Sequence, residues 1–208
     1  MKVLVGERAP DFSAAAIVNG CEIVENFSLS QFLGKKYVVL FFYPKDFTFV
    51  CPTEMWAFQE RLPDFEKRNV ELMGCSTDSE FAHFAWLEIP RERGGLKGVS
   101  FPLIADINKV IAHNYGVLAG TLSEGDGGNL IAVGESVAYR GLFLIDKDGV
   151  VQHCVINNMP FGRSVEEALR MVDALQHFEK FGEVCPANWH SGQKAMLPTQ
   201  DGLREFFE

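Results

Sequence analysis

The sequence predicts an α/β fold: a central mixed β-sheet flanked by helices, with a C-terminal extension. Three observations predict it. Short apolar runs rich in β-branched and aromatic residues alternate with stretches of helical periodicity. Two late apolar runs, residues 139–146 and 150–157, are joined by Lys-Asp-Gly and read as an antiparallel hairpin. A capped amphipathic helix over residues 164–182 follows, and a tail runs on from Glu183.

The elements can be justified in order. KYVVLFFYP, residues 36–44, is continuously apolar and too short for most helices, so it reads as a buried strand. Pro52 suits a first helical position, where its missing N–H costs nothing. Met55, Phe58, Leu62 and Phe65 recur at spacings of three and four, which puts them on one helical face. Pro63 falls inside that pattern and predicts a kink or break. VELMGCS, residues 70–76, reads as a second buried strand, and Asp78 or Ser79 can cap a helix containing Phe81, Phe84 and Ala85. Residues 99–106 form a short strand or extended segment, and residues 108–117 a short helix. Residues 119–136, rich in Gly and Ser, read as a surface loop or loose hairpin. In the last helix Ser164 and Glu167 match a capping box; Val165, Leu169, Val172, Leu175 and Phe178 form the apolar stripe, and Gly182 ends it. The predicted order is β–α–β–α–β–α–β–β–α.

A length of 208 residues suits one domain, alone or with an extension, and is enough to bury a sizeable core. The formal net charge of −9 argues against sequence-independent nucleic-acid binding, because no basic stripe exists to replace phosphate counterions. Nor does it support an anionic membrane surface as partner. No run of about 18 apolar residues suggests a membrane span. The N-terminus MKVLVGERAPDF lacks the apolar core of a signal peptide, so the expected location is cytoplasmic. The five cysteines, Cys21, Cys51, Cys75, Cys154 and Cys185, are an odd number, which speaks against a structural disulfide framework in a reducing compartment.

Cys51 falls between a buried strand and a helix start. A helix N-terminus offers unpaired N–H groups and partial positive charge, and both favour a thiolate. The alternative is a buried cysteine acting as a small hydrophobe. A nearby cation would decide between them, and local sequence names none. A dithiol redox motif needs Cys-x-x-Cys, but Glu54 stands in the fourth position. A zinc site lacks any Cys-x-x-Cys or His-x-x-x-His pair, and no cofactor is indicated.

FFYPKDFTFVCPTE, residues 41–54, resembles the active-site segment of the typical two-cysteine peroxiredoxins, thioredoxin-fold thiol peroxidases that include the bacterial alkyl hydroperoxide reductases. The family pattern Pro-x-x-x-Thr-x-x-Cys stands here as Pro44, Thr48 and Cys51. APDF (9–12), STDSEFAHFAW (76–86), FPLIAD (101–106), YRGLFLIDKDG (139–149) and GEVCPANW (182–189) also match, so the likeness covers nearly the whole chain.

The resemblance implies a thioredoxin-like peroxidase domain over residues 1–182 and an extension over 183–208. It makes Cys51 the peroxidatic cysteine, oxidised by a hydroperoxide to a sulfenic acid. Thr48 would hydrogen-bond the thiolate and the peroxide, Pro44 would shield the site, and Arg140 would supply the missing cation. Glu54 would orient that arginine, and Trp86 would pack nearby. Read by themselves, Thr48 could be a helix cap, Arg140 a strand-edge charge, Glu54 a first-turn helix charge and Trp86 a core residue. Cys185 would be the resolving cysteine, forming an intermolecular disulfide with Cys51 of the other subunit of a homodimer. Reduction by a thioredoxin-like protein or a flavin-dependent disulfide reductase would close the cycle. Decamers of five dimers also follow from resemblance. Cys21, Cys75 and Cys154 match no family role; Cys75 and Cys154 read as strand residues in the core and Cys21 as exposed in a turn.

Two features depart from the family members that excess peroxide readily inactivates. Their Gly-Gly-Leu-Gly is Gly94-Gly95-Leu96-Lys97 here, and Phe206-Phe207 stands where Tyr-Phe would. This partial match implies intermediate sensitivity. The competing class is a non-enzymatic one, a redox-regulated chaperone or peroxide-signalling scaffold on the same fold.

Overall fold

The computed structural model describes residues 3–208; Met1 and Lys2 of the N-terminal stretch lie outside them. The chain divides into two compact units, Met1–Arg163 and Ser164–Glu208. Among the described residues no helix is long and apolar enough to cross a membrane.

The first unit is built on a seven-stranded sheet in the order β2-β1-β5-β4-β3-β8-β9. Strands β3 (Tyr37–Phe42), β4 (Val70–Ser76) and β5 (Leu103–Ala105) pair in parallel at its centre. Antiparallel strands flank them: β1 (Ser13–Val18) and β2 (Glu22–Ser28) on one side, β8 (Arg140–Ile145) and β9 (Val151–Asn157) on the other. The expected mixed sheet is therefore present. The β3 and β8 runs are continuously apolar after Arg140 because both faces are covered, and every residue of each is buried.

Alternation along β3 sends its side chains to two cores. Phe41 stacks on Phe58 of helix α1 (Cys51–Glu60), with ring centroids 4.4 Å apart. Phe42 faces the other way, edge-on to Phe143 at 5.9 Å and beside Tyr115 at 5.3 Å, near helix α4 (Val110–Asn114). Gly74 of β4 keeps the first core flat: an added Cβ would sit 3.1 Å from Phe41 and 3.2 Å from Leu103. The break expected at Pro63 occurs at Arg61, separating α1 from α2 (Leu62–Lys67), and Pro63 occupies the first turn of α2. Ser79, not Asp78, caps α3 (Glu80–Leu87), its hydroxyl accepting from the Ala82 N–H at 3.2 Å. Asp78 instead accepts from the Asp46 N–H at 2.9 Å.

Two expectations need correction. The predicted order omitted the β1–β2 hairpin. Its turn residues Asn19 and Gly20 have φ of 53° and 73°, the left-handed pair that Asn-Gly favours. That dipeptide was the available signal, but the Ala-rich flank SAAAIV lacks clear alternation. The helix expected over 108–117 has five residues, because Lys109 turns left-handed at φ 63°. Asp106 caps it from a distance, accepting the N–H groups of Ile111 and Ala112 at 3.0 and 2.7 Å. Of the two readings offered for 119–136 the hairpin is the one present: β6 (Leu118–Glu124) and β7 (Leu130–Ala138) pair antiparallel, with a register shift between Ala119 and Thr121, as a two-stranded sheet of their own.

The second unit begins with α5 (Val165–Phe181). Ser164 accepts from the Glu167 N–H at 3.2 Å, and Gly182 ends the helix at φ 68°. Val165, Leu169 and Val172 are buried as expected, but Phe178 is half exposed; Ala168 and Ala174 are buried instead. The sequence placed the extension's start at Glu183; α5 and the extension together make up this unit. A short helix α6 (Gln200–Phe207), capped by Thr199, ends the chain.

The Phe41–Phe58 stack is expected to carry much of the first core. Phe58→Ala should cost about 3–5 kcal/mol, read as a lower urea midpoint at unchanged m-value. An unchanged midpoint would show that the stack contributes nothing.

Candidate active site

The site forms where β3 ends and α1 begins. Between them, residues 43–50 cross the end of the sheet. Val50 precedes α1 with no side-chain cap; its carbonyl accepts from the Thr53 and Glu54 N–H groups at 3.1 and 3.3 Å, and Pro52 has no N–H. Cys51 is the first residue of α1, and its side chain is fully buried.

Long-range contacts bring the cation that local sequence could not name. Arg140, at the start of β8, directs Nη1 to Cys51 Sγ at 3.4 Å and to Glu54 Oε2 at 2.6 Å. Its Nε donates to the Met159 carbonyl at 2.6 Å, which fixes the fork. Glu54 stands one turn along from Cys51 and is 4 % exposed. It is therefore not a solvated first-turn charge.

A second arginine, missed in the sequence, completes the cluster. Arg163 donates from Nε and Nη2 to the two Glu54 oxygens at 2.8 and 3.0 Å. Its backbone N–H adds a bond to Glu54 Oε1 at 2.9 Å, and its Nη1 donates to the Gly141 carbonyl at 2.5 Å. Burial pulls its guanidinium below the usual range, with Glu54 and Cys51 working against that and Arg140 with it. Two guanidiniums and one carboxylate leave one positive charge, which an ionised Cys51 sulfur would neutralise. Nothing in FGRS signalled this role, because its partner lies 109 positions away.

Pro44 is buried in the loop and Thr48 is half-buried. The Thr48 hydroxyl donates to the Lys45 carbonyl at 3.1 Å, so here its proton is directed to the backbone and its lone pairs remain for a donor. Trp86 is buried and donates from Nε1 to the Gly94 carbonyl at 2.9 Å, as a packing residue would.

The loop is braced by a second buried group the sequence did not announce. Asp46 accepts from the Tyr43 hydroxyl at 2.9 Å, and its other oxygen lies 2.7 Å from His83 Nδ1 of α3. His83 Nε2 lies 3.2 Å from the Ile104 carbonyl, which can only accept, so Nε2 carries hydrogen. Burial pushes Asp46 up, outweighing the imidazole. Burial pulls His83 down, but the Asp46 carboxylate outweighs it and the imidazole is raised.

The remaining thiols sort by surroundings. Cys21 is exposed in the β1–β2 turn, Cys75 is buried in β4 and pushed up by burial, and Cys154 is half-buried in β9. Cys185 lies in the second unit, half-buried, its thiol 3.6 Å from the Ala174 carbonyl. Among the described residues no group of three His, Cys, Asp or Glu could hold a metal ion.

The His83–Asp46 pair has a pH signature. With both groups raised, the folded state keeps a proton that the unfolded state releases. The His83 share of the resulting stabilisation is complete below about pH 6.5 and is lost as pH rises through its folded-state value; the Asp46 share is complete only below about pH 3.9 and is lost above that. The stability gap between the native chain and His83→Gln should narrow as pH rises above about 6.5 in urea unfolding. A gap independent of pH would mean that the pair holds no such proton.

Comparison with known proteins places the chain. The model of the AhpC/TSA family matches residues 5–154, and that of the C-terminal domain of 1-Cys peroxiredoxin matches residues 174–208. The chain is 50% identical over 206 residues to alkyl hydroperoxide reductase C of Helicobacter pylori, covering 99% of this chain and 97% of the relative. It is 47% identical to peroxiredoxin-2 of Mus musculus, covering 98% and 94%. The crystal structure of Plasmodium vivax 2-Cys peroxiredoxin in its reduced state superposes with a TM-score of 0.89 at 45% identity, covering 99% of both chains. These likenesses cover nearly the whole chain and its thioredoxin-like sheet: the chain belongs to the AhpC/TSA family and is a peroxiredoxin, an enzyme that reduces peroxides.

Proposed function

We propose that Cys51 is the peroxidatic cysteine and that it reduces hydrogen peroxide and organic hydroperoxides. The observation that carries this reading is the Arg140 fork, aimed at Cys51 Sγ and held by Glu54. The Cys51 thiolate attacks the terminal oxygen of ROOH; the O–O bond breaks, and with one proton the products are Cys51–SOH and ROH. Arg140 stabilises the charge that moves from sulfur to the leaving oxygen. Thr48, its own proton directed to Lys45, accepts the hydroperoxide O–H and orients it. Pro44 shields the sulfur and offers no competing N–H. Glu54 and Arg163 hold Arg140 in place.

Cys185 of the partner subunit then attacks the sulfenic sulfur, giving a Cys51–Cys185 disulfide and water. A thioredoxin-like dithiol protein or a flavin-dependent disulfide reductase restores both thiols. Residues 1–182 serve as the peroxidase domain and 183–208 as the extension carrying the resolving thiol. The protein works in the cytoplasm as a homodimer, with rings of dimers as the larger assembly. One relative's name supports the two-cysteine cycle, "2-Cys peroxiredoxin BAS1, chloroplastic" of Hordeum vulgare, at 48% identity.

The direct test adds about one equivalent of peroxide to the reduced protein, followed by a non-reducing gel, beside Cys51→Ser and Cys185→Ser. A covalent dimer requiring both cysteines supports the cycle. Loss of both thiols in a monomer band would place the disulfide within one chain, and an unreacted Cys51 would overturn the reading in favour of a scaffold. Arg140→Met should lower kcat/KM for hydrogen peroxide about 10²–10³-fold, the usual cost of removing one charge-stabilising donor. Activity near that of the native chain would remove Arg140 from the chemistry. Deleting the residues after Thr199 should raise resistance to inactivation by excess peroxide, by speeding exposure of the sulfenic acid to Cys185. Unchanged inactivation would show that α6 does not slow that step.

A further inference from the structure

The second unit holds an arrangement that the cycle above does not use. The segment from Glu183 runs back along α5 in antiparallel sense, and three contacts at successive turns set its track. Glu183 Oε2 lies 2.8 Å from His177 Nε2, the Cys185 thiol lies 3.6 Å from the Ala174 carbonyl, and the Trp189 carbonyl accepts from Arg170 Nη1 at 3.0 Å. Residues 170, 174 and 177 share one face of the helix. The track is closed behind Cys185: Trp189 is buried, its ring is 4.8 Å from that of His177, and its Nε1 donates to the Gln193 carbonyl at 3.1 Å. Val184 and Met196 pair through two backbone hydrogen bonds.

Arg170 is itself aimed. Its Nε and Nη2 grip the two oxygens of Glu167 at 2.6 and 2.7 Å, a bidentate pair that leaves Nη1 for Trp189. The side chain is about four-fifths buried, so it has little freedom to swing away. A planar fork held at three points fixes a positive charge at the Trp189 end of the turn that carries Cys185.

We infer that Arg170 is a positioning residue for the resolution step, fixing the Cys185–Trp189 turn on α5 and holding a positive charge at the end of that turn. This rests on reading Cys185 as the resolving cysteine. The step is Cys51–SOH plus Cys185–SH giving Cys51–S–S–Cys185 plus water: the S–S bond forms, the S–O bond breaks, and the thiol proton leaves with the hydroxide. The attacking species is the thiolate. Burial pushes the Cys185 thiol up, Arg170 works against that, and Glu183 adds to it. Glu183, Glu167 and His177 are the other titratable groups along the track.

The test uses the reduced full chain and three variants: Arg170→Met, Arg170→Gln, which is neutral but can still donate to the Trp189 carbonyl, and Arg170→Lys, which keeps the charge. Three readouts are taken: oxidation of Cys51 by hydrogen peroxide, formation of the Cys51–Cys185 disulfide, and alkylation of the Cys185 peptide against pH by mass spectrometry. Both neutral variants should shift the alkylation profile to higher pH and slow disulfide formation about threefold. A one-unit rise cuts the thiolate fraction about tenfold, and the more basic thiolate regains about threefold. Oxidation of Cys51 should be unchanged, and Arg170→Lys should restore the alkylation profile. A native alkylation profile in Arg170→Gln, or a profile shifted equally in Arg170→Lys, overturns the inference. If the native chain forms no Cys51–Cys185 disulfide, the resolving role of Cys185 fails instead, whatever Arg170 does.

Discussion

The buried Glu54 carboxylate is the interaction on which the rest of the site depends. It accepts from Arg140 Nη1, from Arg163 Nε and Nη2, and from the Arg163 backbone. Helix α1, strand β8 and the segment ending at Arg163 are thereby tied at one point. Three charges taken out of water are tolerated only when each is paired and its remaining hydrogens are satisfied. Here they are, through the carbonyls of Met159 and Gly141. Without Glu54, two buried guanidiniums would face each other, and Arg140 would have no anchor holding it toward Cys51. The cluster is less a source of stability than a device that fixes one geometry at the sulfur.

The sheet explains why that geometry sits where it does. The parallel strands β3 and β4 leave their carboxyl ends at one edge, and the chain passing from β3 into α1 must cross it. Tyr43, Asp46 and His83 pin the crossing to α3 and β5 through buried hydrogen bonds. Asp78 and Ser76, at the end of β4, add a second tie through the Asp46 backbone and the Asp78 carboxylate. Pro44 and Thr48 are carried on this braced stretch, so their positions follow from the fold and not from local preference.

The chemistry available to each cysteine follows from its surroundings. Cys75 has burial and the Asp106 charge against ionisation, which suits a small core residue. Cys51 is as deeply buried but faces a guanidinium. Cys185 is seated on a helix by a carbonyl, its thiol pushed up by burial and by Glu183 and drawn down by Arg170. One residue type thus meets three different surroundings in a single chain.

The sequence alone determined the elements whose signal is local. β3 and β4 follow from continuous apolar runs, the α1/α2 break from Pro63, and both ends of α5 from Ser164 and Gly182. It also placed Cys51 at a helix start, which α1 has, and its resemblance pointed to Arg140 and Glu54. Weak local signals were lost or blurred: the Ala-rich β1–β2 hairpin was missed, and α4 was drawn too long because its cap lies outside the helix at Asp106. Tertiary structure decided the rest, since Arg163 meets Glu54 across 109 positions and His83 meets Asp46 across 37. Neither residue leaves a pattern in its own neighbourhood. Periodicity and capping report only what a residue does within a turn or two, while the partner of a buried charge is set by how the sheet brings distant segments together.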